Sequence, residues 1–316
     1  MRKRFDSAHS NSWSEQVELL KRPRMSRTTE TAFGQVYGRF FLTPHLDITD
    51  DGEPDTSTLS ELVETYGMWG DIIKQMKTTT KKLFTMFETS DVHPDIITAM
   101  KQFDQVVVPF PYLRDILTSH GVDAVSLGWW TNGLIRSKPP VLLKKKDPER
   151  LVFLYVGTND IRKNVDTLTK VFSDMTHGTN HVLIVKTNTL DNIPVTKNIK
   201  VITDKISLTK MSALYNMCDY VISFTRGEGV GLPMLEADYF NKPIIAHDRG
   251  VFVDIKKYVN TEWITIPSDE TPIDYSVVPT YLHQVFYGTW WDINIEGFKD
   301  ILTNIFKHNY PYDSTK

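Results

Sequence analysis

The chain reads as an α/β protein built from two domains, each a parallel sheet with helices packed on it. Three observations carry that reading. Short apolar runs alternate with stretches of helical period along most of the chain, and such alternation predicts strands joined by crossover helices. The alternation occurs on both sides of a proline- and lysine-rich segment, residues 138–150, which has the composition of a linker. The length of 316 residues suits two domains better than one.

The elements follow in order. Residues 1–14 are polar and aperiodic, a tail. Val17 to Leu20 is a short strand candidate, followed by a loop through Phe33-Gly34 and a helix near Val36 to Phe41. Residues 49–55 form an acidic turn. Lys82 to Phe87 reads as a strand, Asp95 to Lys101 as a helix, and Gln105 to Val108 as a buried strand. Tyr112 to Ser119 reads as a helix closed by Gly121, and Val122 to Leu127 as a strand. The domain limits are therefore 15–137 and 151–290, with 291–316 as a C-terminal helix that crosses back toward the first domain.

In the second half the pattern is cleaner. Strands are expected at Leu151–Val156, 182–185, 199–202, 220–224 and 243–246. Asn164 and Ser207 stand at N-cap positions, and Pro233 stands at the first position of a helix. Tyr281 to Asn309 reads as helical, with Phe298, Ile301, Leu302 and Ile305 on one face. In parallel sheets ligands sit beyond the carboxyl ends of the strands. That rule puts residues 157–164, 186–189, 225–231 and 247–250 on one rim.

Composition narrows the function classes. Apolar residues make up 41% of the chain and charged residues 24%, with a net charge of −3; nothing in that balance draws the whole molecule to nucleic acid. The single cysteine, Cys218, forms no internal disulfide and fits a reducing compartment. There is no apolar run after the basic N-terminus and no stretch of about 20 apolar residues, so a cytoplasmic chain without stable membrane insertion is expected. The nine histidines show no metal spacing. Asp50 and Asp51 sit in the acidic turn and read as solvated.

The chemistry concentrates in two segments. The first is Thr225-Arg226-Gly227-Glu228-Gly229-Val230-Gly231-Leu232-Pro233-Met234-Leu235-Glu236, after a strand and into a helix. Its glycines allow close backbone approach, and free N–H groups at the helix start favour an anion or hydroxyls. Glu228 and Glu236 are two carboxylates able to accept hydrogen bonds from sugar hydroxyls. The second is Phe153-Leu154-Tyr155-Val156-Gly157 with Arg162-Lys163-Asn164. Cations at a helix start oppose its dipole, so a purely solvated role fits them poorly. Lys186, after the next strand, faces either a nucleotide or solvent. His247-Asp248-Arg249-Gly250 either touches a ligand or pairs internally.

The first segment resembles the E-x7-E stretch of retaining GT-B glycosyltransferases, the "glycosyl transferases group 1" type. The second resembles that family's strand, glycine and basic pair, except that Thr158 stands where many members carry arginine. The resemblance implies a GT-B fold, two Rossmann-like domains facing a central cleft. It implies a retaining, metal-independent transferase without a separate cofactor, whose co-substrate is a nucleotide-diphosphate sugar. It assigns Glu228 to the donor sugar and Glu236 to the ribose. Arg162 and Lys163 go to the diphosphate, and Gly157, Gly229, Val230, Gly231, Leu232 and Lys186 to donor binding. On the acceptor side it points to Gly34 and Glu88; His93, before Pro94, reads either as an acceptor-side base or as a structural residue of a turn.

The acceptor stays open among a glycan, a lipid-linked group, a small molecule and a hydroxylated DNA base. The basic residues Arg2, Lys3, Arg4, Lys21, Arg22, Arg24 and Arg27 motivate the last of these. A non-catalytic sugar-nucleotide-binding scaffold and an epimerase or phosphorylase are the competing readings. Trp129-Trp130 is expected in interdomain packing and Trp290-Trp291 in docking of the C-terminal helix.

Overall fold

The computed structural model describes residues 82–126 and 149–308. These residues divide into two compact units. The features expected at 17–20, 33–41, 49–55, Trp129-Trp130, most of the 138–150 linker and the N-terminal basic strip lie outside the described residues.

The first unit holds residues 82–87, 91–126 and 279–287. Its parallel sheet has the order β1 (Lys82–Phe84), β2 (Gln105–Val108), β3 (Ala124–Ser126). Helix α1 (Pro94–Met100) leads into β2, and α2 (Pro111–Ser119) connects β2 to β3. Val106, Val107 and Val108 are all buried, as expected of a strand covered on both faces. Gly121, with φ 73°, turns the chain from α2 into β3. The predicted strand 82–87 is real but ends at Phe84.

The second unit holds residues 88–90, 149–278 and 288–308. Its centre is a six-stranded parallel sheet of β4 (Val152–Val156), β5 (Val182–Lys186), β6 (Ile199–Ile202), β7 (Tyr220–Ile222), β8 (Ile244–Ala246) and β9 (Trp263–Thr265). The spatial order is β6-β5-β4-β7-β8-β9. Counted from β4, that is the doubly wound order 3-2-1-4-5-6, in which the connections reverse direction between β4 and β7. Helices α3 (Val165–Met175), α4 (Leu208–Met217), α5 (Leu232–Tyr239) and α6 (Phe252–Tyr258) join the strands.

The C-terminal part differs from the sequence expectation. Residues 289–293 form a strand, β11 (Thr289–Ile293), paired antiparallel with β10 (Ser268–Pro272). Helix α7 (Ile295–His308) starts only after it. A boundary at 290/291 thus falls inside a strand. Trp290 and Trp291 are buried strand residues. Adjacent bulky aromatics suit a pleated surface covered on both faces better than one face of a helix.

Helix α7 packs within the second unit. Phe298, Leu302 and Ile305 join one core with Phe153, Phe172, Tyr220 and Phe224. Phe298 meets Phe224 edge-on at 4.9 Å, and Phe153 stacks on Tyr220 at 5.2 Å. It is the segment 279–287, not the helix, that belongs with the first unit.

Candidate active site on the second unit

In the doubly wound order the connections reverse direction between β4 and β7, and in such sheets ligands bind beyond the carboxyl ends of the strands at that point. The loop after β4 carries Arg162 and Lys163; the loop after β7 carries Glu228. The sheet therefore brings together residues more than sixty positions apart.

The first loop is tightly organised. Asp160 receives the Lys163 N–H on its Oδ1 at 3.0 Å and the Thr158 hydroxyl on its Oδ2 at 2.5 Å. Asn164 starts α3 in the left-handed region, with φ 53°, and its side chain makes no cap. The expected Asn164 cap is thus corrected: the residue is used for its tolerance of positive φ, while Asp160 satisfies the nearby amide. Gly157 is required by its own strand, since a methyl group there would meet the Tyr155 hydroxyl at 2.7 Å.

Lys163 donates its ammonium to Glu228 Oε1. Arg162 Nη1 lies 3.5 Å from the same oxygen and donates to the Gly227 carbonyl at 2.6 Å. On its other side, Arg162 Nε sits 2.9 Å from Glu88 Oε2, as an ion pair out of line for a hydrogen bond. Two cations and two carboxylates form one cluster with little solvent access. Side-chain exposure is 8% for Arg162, 12% for Lys163 and 10% for Glu228.

The charges set the protonation. Burial pushes the Glu228 carboxyl up, but Lys163 and Arg162 outweigh it and hold the group below its ordinary value, hence ionised. Burial lowers the Arg162 guanidinium, yet Glu88 and Glu228 together drive it above its usual range. Glu88 moves the other way: burial raises it, and Arg162 offsets only part of the rise.

Glu88 was expected on the acceptor side. The structure groups it with the second unit, beside Arg162. Its carbonyl also presses on the β7 loop, where a methyl group on Gly227 would lie 1.8 Å from the Glu88 oxygen. Gly231, φ 63°, has Phe252 Cε1 and Ile255 Cδ1 at 2.7 and 2.8 Å from the position of an added methyl. Ligand approach was the expected reason for these glycines. At 227 and 231 packing of protein against the backbone also requires glycine.

His247 stands behind the loop, fully buried. Its Nδ1 accepts from the Arg249 N–H at 3.0 Å, which makes Nε2–H the donor to the Thr225 carbonyl at 2.9 Å. Burial pushes its pKa down to about 4, so the ring is a neutral brace between the loops after β7 and β8. Of the two readings left open for residues 247–250, the structure shows internal pairing.

Comparison with known proteins fits this arrangement. Residues 143–273 match the family model of the glycosyl transferases, group 1. No curated protein matches the chain. Among solved structures it resembles a mutant of S. aureus TarM in complex with Fondaparinux, alpha-GlcNAc-glycerol and UDP, with 15% identity and a TM-score of 0.54 over 78% of this chain and 48% of that one. A second TarM structure gives 16% identity and 0.52 over 77% and 47%. Sucrose-phosphate synthase from Thermosynechococcus elongatus gives 14% and 0.50 over 68% and 52%. The chain spans about half the length of these solved structures. The fold is GT-B.

The remaining predicted residues of this GT-B chain fall in three places. Glu236 is in the second turn of α5 and accepts from the Tyr215 hydroxyl of α4. Burial raises its pKa to about 7, with the Tyr215 hydrogen bond pulling the other way. Its partner is thus Tyr215 and not the Lys163–Glu228 pair. Gly229, Val230 and Leu232 lead into α5, which no side chain caps. Lys186 ends β5 on the same rim and donates to the Thr187 carbonyl at 2.9 Å, with its pKa lowered by burial. His93 is an N-cap: its Nδ1 accepts from the Asp95 N–H at 3.2 Å at the start of α1, in the first unit. Gly34 lies outside the described residues.

Sequence reading missed Arg226, Asp292 and Tyr215. Arg226 and Asp292 pair across 66 positions, and no local pattern signals that contact.

Proposed function

We propose that this chain is a retaining glycosyltransferase that moves a sugar from a nucleotide-diphosphate sugar to an acceptor hydroxyl. One observation carries the reading: Lys163 and Arg162 converge on Glu228 beyond the ends of β4 and β7. The match of residues 143–273 to the group 1 family model supports it.

The chemistry follows from charge. The bond from the anomeric carbon to the diphosphate oxygen breaks, leaving positive charge on the sugar and negative charge on the phosphate. Lys163, with Arg162 behind it, supplies fixed positive charge where the leaving group develops its own. Lys163 passes from Glu228 to the phosphate as the donor enters. Arg162 stays on Glu228 and keeps that carboxylate neutralised. Glu228 then accepts hydrogen bonds from the donor sugar, and Glu236 accepts from the ribose. The acceptor hydroxyl attacks the face that the leaving group departs from, and the phosphate oxygen takes its proton. Lys163 at the diphosphate, with Arg162 left to balance Glu228, supplies this positive charge without a metal ion.

The TarM structure it resembles contains UDP, so uridine diphosphate sugars are the first donors to test. The experiment measures UDP release and product from UDP-glucose and related donors. Glu228→Gln and Lys163→Ala are each expected to lower kcat/KM by about 10²–10³-fold. EDTA is expected to leave the rate unchanged. An α-linked donor should give an α-linked product by proton NMR. A wild-type chain that releases nothing from any nucleotide sugar sinks the reading, and an inverted product sinks its retaining part.

A further inference from the structure

We propose that Arg226 is the positioning residue that locks the loop bearing Lys163 to the loop bearing Glu228, by clamping both onto β11. The inference rests on the function proposed above. Arg226 lies two residues before Glu228, and Ile161 lies two residues before Lys163. The Arg226 guanidinium joins these points: Nη1 donates to the Ile161 carbonyl at 2.8 Å. The backbone repeats the link, since the Arg226 N–H donates to the Arg162 carbonyl at 2.7 Å.

The other side of Arg226 faces β11. Nε donates to Asp292 Oδ1 at 2.5 Å, and the guanidinium carbon lies 4.8 Å above the centre of the Trp290 ring. The Arg226 carbonyl accepts from the Trp291 N–H at 2.9 Å. Asp292 is itself held, because its Oδ2 accepts from the Thr271 hydroxyl of β10 at 2.8 Å. A continuous path thus runs from the β10–β11 ribbon through Asp292 and Arg226 to the backbone beside Lys163. The side chain is only partly exposed, at 21%.

Arginine is needed here for its shape. A planar fork donates in two fixed directions while its face lies on an indole; an ammonium has donors but no planar face to stack. Small displacements of a charged group relative to the breaking bond cost rate more than binding. Arg226 therefore acts through Lys163 and Glu228, not on the substrate.

The test compares the full chain with Arg226→Lys, Arg226→Ala and Asp292→Asn, by hydrogen–deuterium exchange and by turnover of UDP-glucose. Exchange is expected to rise together in residues 158–164 and 225–231, while α7 keeps its wild-type protection. Arg226→Lys is expected to lower kcat by about 10–100-fold with KM changed by less than about 3-fold. Added guanidinium is expected to recover part of the Arg226→Ala loss. Wild-type exchange in either loop of Arg226→Lys overturns the proposal, as does an unchanged kcat. So does a loss of protection that extends through α7, which marks a general structural role. If the wild type turns over no donor while the two loops still loosen together, the clamp stands and the functional reading fails.

Discussion

At the scale of residues, two buried titratable groups flank the charged cluster and respond to pH with opposite signs. Glu236 has a folded-state pKa of about 7 against an ordinary 4.5. The folded state therefore holds its proton longer than the unfolded chain does. Its contribution to stability is complete below about pH 4.5 and is lost as pH rises through about 7. His247 has a folded-state pKa of about 4 against 6.5. The unfolded chain takes its proton first, so its contribution is complete above about pH 6.5 and is lost as pH falls toward 4. Urea midpoints as a function of pH separate the two. The stability of Glu236→Gln minus that of wild type is expected to rise by about 1–3 kcal/mol from pH 4.5 to 7. The same difference for His247→Gln is expected to rise as pH falls from 6.5 to 4. Tyr215→Phe removes the hydrogen bond that lowers the Glu236 pKa, so it should move the Glu236 window upward. A His247→Gln difference with no pH dependence below 6.5 would contradict the neutral brace.

The pairing of Lys163 with Glu228 was legible at this scale, because both residues stand in segments with a recognisable chemical pattern. The contact of Glu88 with Arg162 was not legible. Its identity at a strand end said nothing about its neighbours, which depend on a backbone crossing at Gly227.

At the scale of elements, loop geometry explains where glycine is needed. Gly227 follows β7 and passes against the Glu88 backbone, which is not free to swing aside as a flexible side chain would be. Gly227→Ala is expected to cost about 3 kcal/mol or more and to displace the Glu228 loop. Gly178, in the turn after α3, has φ 83° and nothing within 4 Å of an added methyl. Gly178→Ala should cost only the conformational strain, about 1–2 kcal/mol. Thermal or urea unfolding of the pair checks the difference; equal losses would mean that the Glu88 crossing is not tight. Helix α4 starts at Ser207, whose hydroxyl accepts from the Lys210 N–H at 3.3 Å, as its N-cap position predicts. Strand β11 was not legible. Two tryptophans in succession have no helical period, yet the apolar face of the helix after them drew the whole segment into one helical reading.

At the scale of the whole molecule, the family match and the folded unit have different limits. The match ends at residue 273, but Ile293, Phe298, Leu302 and Ile305 belong to the same core as β4, β5 and β7. Burying side chains of that size contributes about 1.5–3 kcal/mol each. A chain stopped at residue 273 is therefore expected to lose cooperative unfolding and to expose its sheet, seen as loss of a sharp melting transition. A cooperative melt from that fragment would refute the role given to α7. Among the described residues, no helix is long and apolar enough to cross a membrane.

The amino-acid order alone determined the alternation of strands and helices, the doubly wound half after residue 150, and the encounter of Arg162 and Lys163 with Glu228. The first two follow from short-range periodicity, and the third was implied by the resemblance of two separate segments to one family. Only the tertiary structure decided the clamp from Arg226 to Asp292, the placement of Glu88 beside Arg162, and the strand at Thr289–Ile293. Those features depend on which backbone segments pass within a few ångströms of each other, and local periodicity does not encode distances across a sheet.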